Sequence, residues 1–242
     1  MEIQKQSLPL RIINKLLFRF NLFVADRHLQ GICFQLTNRY KYISTKQLGK
    51  PVDQNTNPIP WFTYPAIEFL QQFDLRQKLV FEWGSGHSSL FFAKRCKEIT
   101  SVEANNEWFK YISQKLADNQ KIFLRDSESF ANAIEEFSLK YDVIVIDSLK
   151  RGECAIKALN FLNDGGVIIL DNSDWYPNTS KYLREQGNLL EVDMHGFGPI
   201  NDYTWTTSFY FHRDFNYNTL DNRQPSYSLA AIKNQAPDDI FS

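Results

Sequence analysis

The segment Phe81-Glu82-Trp83-Gly84-Ser85-Gly86-His87-Ser88-Ser89 sets two glycines directly after a short apolar run. Glycines there permit a sharp strand-to-helix turn and let a ligand lie close to the backbone. Two carboxylates indicate the kind of ligand. Glu82, two residues before Gly84, would repel a pyrophosphate and suits a cation. Glu103 falls 19 residues after Gly84, where a carboxylate can accept both hydroxyls of a ribose. A dinucleotide loop wants a third glycine beside the diphosphate, and this chain has Ser88 instead. The expected ligand is a nucleoside carrying an amino-acid-like tail.

A second polar group ends two later apolar runs, 142–147 (DVIVID) and 166–171 (GVIILD). Asp147 closes the first and Asp171-Asn172 the second. Adjacent parallel strands would bring them together at one edge of a sheet. Two carboxylates and an amide oxygen make a hard half-shell for Mg²⁺ or another divalent cation, which would lower the pKa of a bound hydroxyl. Lys150 would then accept the proton. Plainer uses exist: Asp147 can meet the ligand's amine, and Asp171-Asn172 can cap Ser173-Asp174-Trp175. Without a metal, His195 is the alternative base, with Asp202 in the same loop. Arg151 either draws in an anionic substrate or is merely solvated. Trp61, Tyr64, Trp175 and Tyr176 flank this edge and suit a planar or sugar-like substrate. Trp83 is expected to shape the ligand pocket, whereas Trp108 and Trp205 are expected to fill core or interface.

These residues need a scaffold. Apolar runs at 79–83, 99–103, 121–125, 142–147 and 166–171 read as strands, separated by helical segments near 88–97, 106–117, 129–137 and 153–162. That alternation predicts βαβ units and a parallel sheet. A helix near 179–186 is followed by strands at 189–194 and 205–212 with a loop between them, so the sheet closes in a hairpin. Upstream, Thr63 caps a short helix with Pro65 in its first turn, after a loop at 49–60. The stripe of apolar residues at 8–30 predicts an amphipathic helix with Arg11, Lys15 and Arg19 on another face.

The stretch from 79 to 212 resembles the class I S-adenosylmethionine-dependent methyltransferases, on acid-x-Gly-x-Gly, the acid ending the second strand, and the terminal hairpin. The resemblance implies an α/β, Rossmann-like, seven-stranded mostly parallel sheet with an antiparallel last strand, plus an N-terminal helical extension. It implies that Glu82, Gly84 and Gly86 line the methionine end and Glu103 the ribose, with Ser85 and Ser88 also binding the cofactor. Asp126 would sit near the adenine amino group, and His87 would meet the cofactor carboxylate or simply cap the next helix. Asp147-Ser-Leu-Lys150 and Asp171-Asn172 are further similar to the metal-dependent catechol and caffeoyl-CoA-type O-methyltransferases. That likeness implies Asp147, Asp171 and Asn172 as metal ligands and Lys150 as general base. The activity implied is O-methylation of a small molecule or glycan. An NAD(P)-dependent oxidoreductase and a non-catalytic nucleoside-binding or scaffold protein are the alternatives.

The charge is unevenly divided. The 242 residues sum to a net −1, which argues against a nucleic-acid partner. The first fifty residues hold nine basic and two acidic side chains, leaving −8 on the remainder. The expected division is a basic helical extension at 1–57, a catalytic domain at 58–216 and a polar tail at 217–242. The extension either covers the site, pairs subunits in a homodimer, or touches an anionic membrane through residues 8–30. No run of about 18 apolar residues exists. Cys33, Cys96 and Cys154 lie too far apart for paired zinc spacing, and a cytoplasmic location with reduced thiols is expected.

Overall fold

Strands buried on both faces carry near-continuous runs of branched apolar residues, and the runs at 79–83, 142–147 and 166–171 have that character. The computed structural model describes residues 12, 27–221 and 224–239. It assembles β1 (Leu79–Trp83), β2 (Glu98–Glu103), β3 (Gln120–Leu124), β4 (Tyr141–Ile146), β5 (Leu162–Asp171), β6 (Leu190–Gly196) and β7 (Trp205–Phe211) into one sheet. The order is β3-β2-β1-β4-β5-β7-β6, with β1 to β5 parallel and β7 antiparallel to both its neighbours. Register places Trp83 opposite Val102 and Ile146, and Ile146 opposite Leu170. The carboxyl ends of β1, β2, β4 and β5 therefore lie level, at the reversal of strand order where open α/β sheets bind ligands.

Helices cover both faces. In chain order they are α1 (Arg27–Asn38), α2 (Tyr42–Leu48), α3 (Tyr64–Leu70), α4 (His87–Ala93), α5 (Asn106–Ser113), α6 (Arg151–Phe161) and α7 (Pro177–Glu185). Alternate strand residues divide between two cores: Val143, Val145 and Ile169 pack with Phe62, Phe91 and Phe209, while Ile144, Ile146 and Ile168 pack with Phe81, Trp83 and Phe130.

The helix expected at 88–97 stops at Ala93, because the Arg95 and Cys96 amides both turn back onto the Phe92 carbonyl before β2 begins. The helix expected at 129–137 is a 3-10 turn (Ala131–Phe137). Of the helix expected at 8–30, Ile12 and residues 27–30 are helical and the rest lies outside the described residues. Thr63 does cap α3, accepting from the Ala66 amide, and its hydroxyl donates to the Met194 carbonyl at 2.9 Å. Past β7 the chain returns over the surface: the Asp74 amide donates to Asn218 and the Tyr217 hydroxyl to the Asp142 carbonyl. No described helix is long and apolar enough to cross a membrane.

Candidate functional site

At the carboxyl edge of the sheet the structure opens a cavity of about 490 Å³. Its floor is the turn between β1 and α4. Gly84 stands at φ +100°, and a Cβ there would lie 2.8 Å from the Asp147 carbonyl oxygen. Glycine is required on both counts. Gly86 differs: its backbone is extended, and a Cβ would meet the Trp108 ring at an ordinary 3.7 Å. Its bareness leaves room in the cavity that it lines with Ser85, His87, Ser88 and Trp108.

Neither Glu82 nor Glu103 lines that cavity. Glu82 is buried and accepts from the Ser89 hydroxyl and, at 3.1 Å, from the Ser101 hydroxyl. Ser89 in turn accepts from the Gly86 amide at 3.0 Å. Burial pushes the Glu82 carboxyl up to about 7, against the opposing pull of hydroxyl donors at Ser88, Ser89 and Ser101. Glu103 ends β2 as expected, and its oxygens take the Ser85 amide and hydroxyl and the Ala104 and Asn105 amides. Both acids clamp the turn from beneath. His87 lies at the cavity wall, where burial and the nearby Lys115 and Lys50 lower it to about 4. Its imidazole is neutral at physiological pH.

The opposite end holds Asp147, Asp171 and Asn172, all lining the cavity. The sheet brings these three together as their positions required. Between them runs Arg151, the first residue of α6, with a side chain 11% exposed. Its Nη2 donates to Asp147 at 3.1 Å, its Nη1 to the Asn172 amide oxygen at 3.0 Å and to the Asp171 carbonyl, and its Nε to the Ser148 carbonyl at 3.0 Å. Asp171 is turned inward, accepting from Trp205 Nε1 at 3.1 Å and Thr207 Oγ1 at 2.5 Å. Burial raises both carboxyls above the ordinary range, Asp171 further because Asp147 is close, while Arg151 pulls both down. The Asp147 side chain keeps 24% of its surface accessible.

This arrangement does not fit the expected metal. Mg²⁺ demands oxygens converging at about 2.1 Å, yet Asp147 and Asn172 point their oxygens at a guanidinium and Asp171 points one at β7. Among the described residues, no three His, Cys, Asp or Glu side chains are grouped to hold a metal ion.

Lys150 and His195 are not brought to the cavity. Lys150 is exposed and pairs with Glu153 at 3.3 Å. His195 lies on β6 rather than in a loop, exposed, its Nδ1 2.7 Å from Thr206 Oγ1 on β7. Asp202 pairs with Lys46 at 2.6 Å. Asp126 is exposed past β3 and accepts from the Ser129 amide and hydroxyl. Trp83 is wholly buried, donating to the Phe130 carbonyl at 2.9 Å. The cavity walls are instead Trp61, Trp108, Trp175, Tyr203 and Trp205, with Asn201, Gly49 and Pro51. Trp108 and Trp205, assigned to core or interface from sequence, both line it; Tyr64 and Tyr176 do not. Tyr176 backs the Arg151 guanidinium at 5.0 Å. Ser89, Ser101, Asn201 and Thr207 carried no signal before folding, since their roles come from neighbours on other strands and loops.

Neither a protein-family model nor a curated protein sequence matches the chain. Solved structures do. Precorrin-6y C5,15-methyltransferase from Geobacter metallireducens superposes with a TM-score of 0.51 at 14% identity, over 61% of this chain and 87% of that one. The O-methyltransferase TomG from Streptomyces achromogenes, solved with S-adenosylmethionine, gives 0.51 at 13% identity, over 62% of this chain and 78% of that one. At that identity the likeness is one of architecture, and the chain has the Rossmann-like methyltransferase fold.

Proposed function

We propose that this chain is an S-adenosylmethionine-dependent methyltransferase acting on a hydroxyl of a neutral small molecule or glycan. One observation carries the reading: the Asp147 carboxylate opens onto a cavity floored by the glycine turn and walled by aromatic rings. Ser85, Gly86, His87 and Ser88 would hold the cofactor, with the fields of Lys50 and Lys115 at His87 suiting its carboxylate end. When bound, S-adenosylmethionine supplies a methyl on a sulfonium, whose carbon–sulfur bond breaks with the electron pair going to sulfur. The protein's tasks are to align the acceptor and to take its proton. Asp147 accepts that proton as the acceptor oxygen bonds the methyl, and its raised pKa makes it a better base than an ordinary carboxylate.

The walls describe the acceptor. Trp61, Trp175 and Tyr203 are 43%, 60% and 49% exposed, so flat faces await a partner. No described Lys or Arg lines the cavity, which disfavours an anionic acceptor or nucleic acid. Gly49 and Pro51 of the N-terminal region already line the cavity, beside Trp61 of the catalytic domain. We therefore assign the basic extension to covering the site, in a cytoplasmic enzyme. Saturable binding of its segment 8–30 to anionic vesicles at low salt would favour the membrane role instead.

Calorimetry with S-adenosylmethionine, S-adenosylhomocysteine and NAD(P) tests the core claim. Binding of the sulfonium and thioether nucleosides without NAD(P) is expected, and failure to bind either of them overturns it.

A further inference from the structure

We propose that Arg151 is a built-in counterpart of the divalent cation, holding Asp147 at the ends of β4 and β5 so that the chain needs no metal there; the catalytic consequence rests on the methyl-transfer reading above. The donor accounting carries this. All three guanidinium nitrogens are committed to protein oxygens: Nε to the Ser148 carbonyl, Nη1 to the Asp171 carbonyl and Asn172 amide oxygen, and Nη2 to the Asp147 carboxylate. Two of the three groups that could have met an ion meet this fork instead. The third, Asp171, turns Oδ1 to Trp205 and Thr207 on β7.

A planar guanidinium is weakly hydrated and fixed in direction, so it can be nearly buried where a hydrated ion cannot. Tyr176 supplies a ring face behind it. A divalent ion entering this edge would have to break the fork and then face the displaced guanidinium at close range. Arg151 itself does not line the cavity, and four of its five N–H donors meet protein oxygens. It is accordingly a positioning residue: it orients Asp147 and offsets the charge of two neighbouring carboxylates with one fixed cation.

Manganese(II) electron paramagnetic resonance on the full chain tests this without any acceptor. Wild-type protein is expected to leave the signal of the free hydrated ion unchanged. Arg151→Ala, freeing the oxygens, is expected to bind manganese at least about tenfold more tightly, and adding Asp147→Asn to remove that gain. Arg151→Lys restores a cation and is expected to leave manganese free. If Arg151→Ala fails to fold by circular dichroism, Arg151→Gln replaces it, keeping hydrogen bonds without charge. Saturable manganese binding by wild type that Asp147→Asn abolishes overturns the proposal. So does a folded, uncharged variant at position 151 that gains no manganese. Calorimetry with S-adenosylhomocysteine on the same samples reports separately: a wild type that binds no thioether nucleoside sinks the methyl-transfer reading and leaves the manganese result standing.

Discussion

The two ends of the cavity use the same material, buried carboxylates at strand ends, and satisfy it in opposite ways. Under the glycine turn, Glu82 and Glu103 take neutral hydroxyl and amide donors from no more than 19 residues away. At the far end, Asp171 depends on Trp205 and Thr207, 34 and 36 residues away, and Asp147 on a permanent cation. With no cation beside it, burial raises the Glu82 carboxyl to about 7 in spite of its hydroxyl donors. A fixed guanidinium favours the ionised form, which a proton acceptor requires.

The comparison can be broken first at Asp147. Asp147→Asn is expected to lower turnover by about 10²–10⁴-fold. In the same variant, calorimetry should find S-adenosylhomocysteine affinity unchanged within the error of the method. A parallel loss of affinity would move Asp147 from the acceptor to the cofactor's amine. Next comes the turn itself. Gly84→Ala places a Cβ against the Asp147 backbone at a positive φ and should cost about 2–4 kcal/mol in urea unfolding, because the clash joins both ends. Trp205→Phe removes one of the two donors to Asp171 and is expected to cost about 1–3 kcal/mol in the same assay; no loss would mean that Thr207 alone suffices.

Glu82 sharpens the contrast through pH. Its carboxyl titrates at 4.5 when unfolded and at about 7 when folded. Below 4.5 both states hold the proton; between the two values the folded state alone does, so stability falls as pH rises through that window. Glu82→Gln removes this loss, and its melting temperature relative to wild type should be a few degrees higher at pH 8 than at pH 5. The smallest effect is expected at the wall: Trp175→Ala should change stability by no more than about 0.5 kcal/mol while raising the acceptor's KM.

Legibility follows the same division. The strands and the glycine turn could be read because their signals are contiguous: β1 spans 79–83 as the apolar run indicates, and Gly84 needs the conformation that glycine allows. Asp147, Asp171 and Asn172 could be placed at one edge from parallel topology alone. What could not be read was which partner each would face. Asp-x-x-Lys suggested Lys150, yet α6 begins at Arg151, and Lys150, at φ 50°, turns its ammonium to Glu153. Periodicity says nothing of a choice made by one residue's backbone angle. The size of Trp205 points to core or interface, and it is buried; it nonetheless lines the cavity.

The position of β7 has a consequence for how the chain is made. It is the last of the seven described strands in chain order, yet it lies between β5 and β6 rather than at the margin. Until it emerges and inserts, β5 presents an open edge of apolar residues, a surface prone to sticking to other chains. Asp171 meanwhile lacks both its indole and hydroxyl donors. Completion of the sheet and completion of the Asp171 end of the cavity are thus one event, and a nascent chain stopped before residue 205 has a glycine turn without its opposite wall.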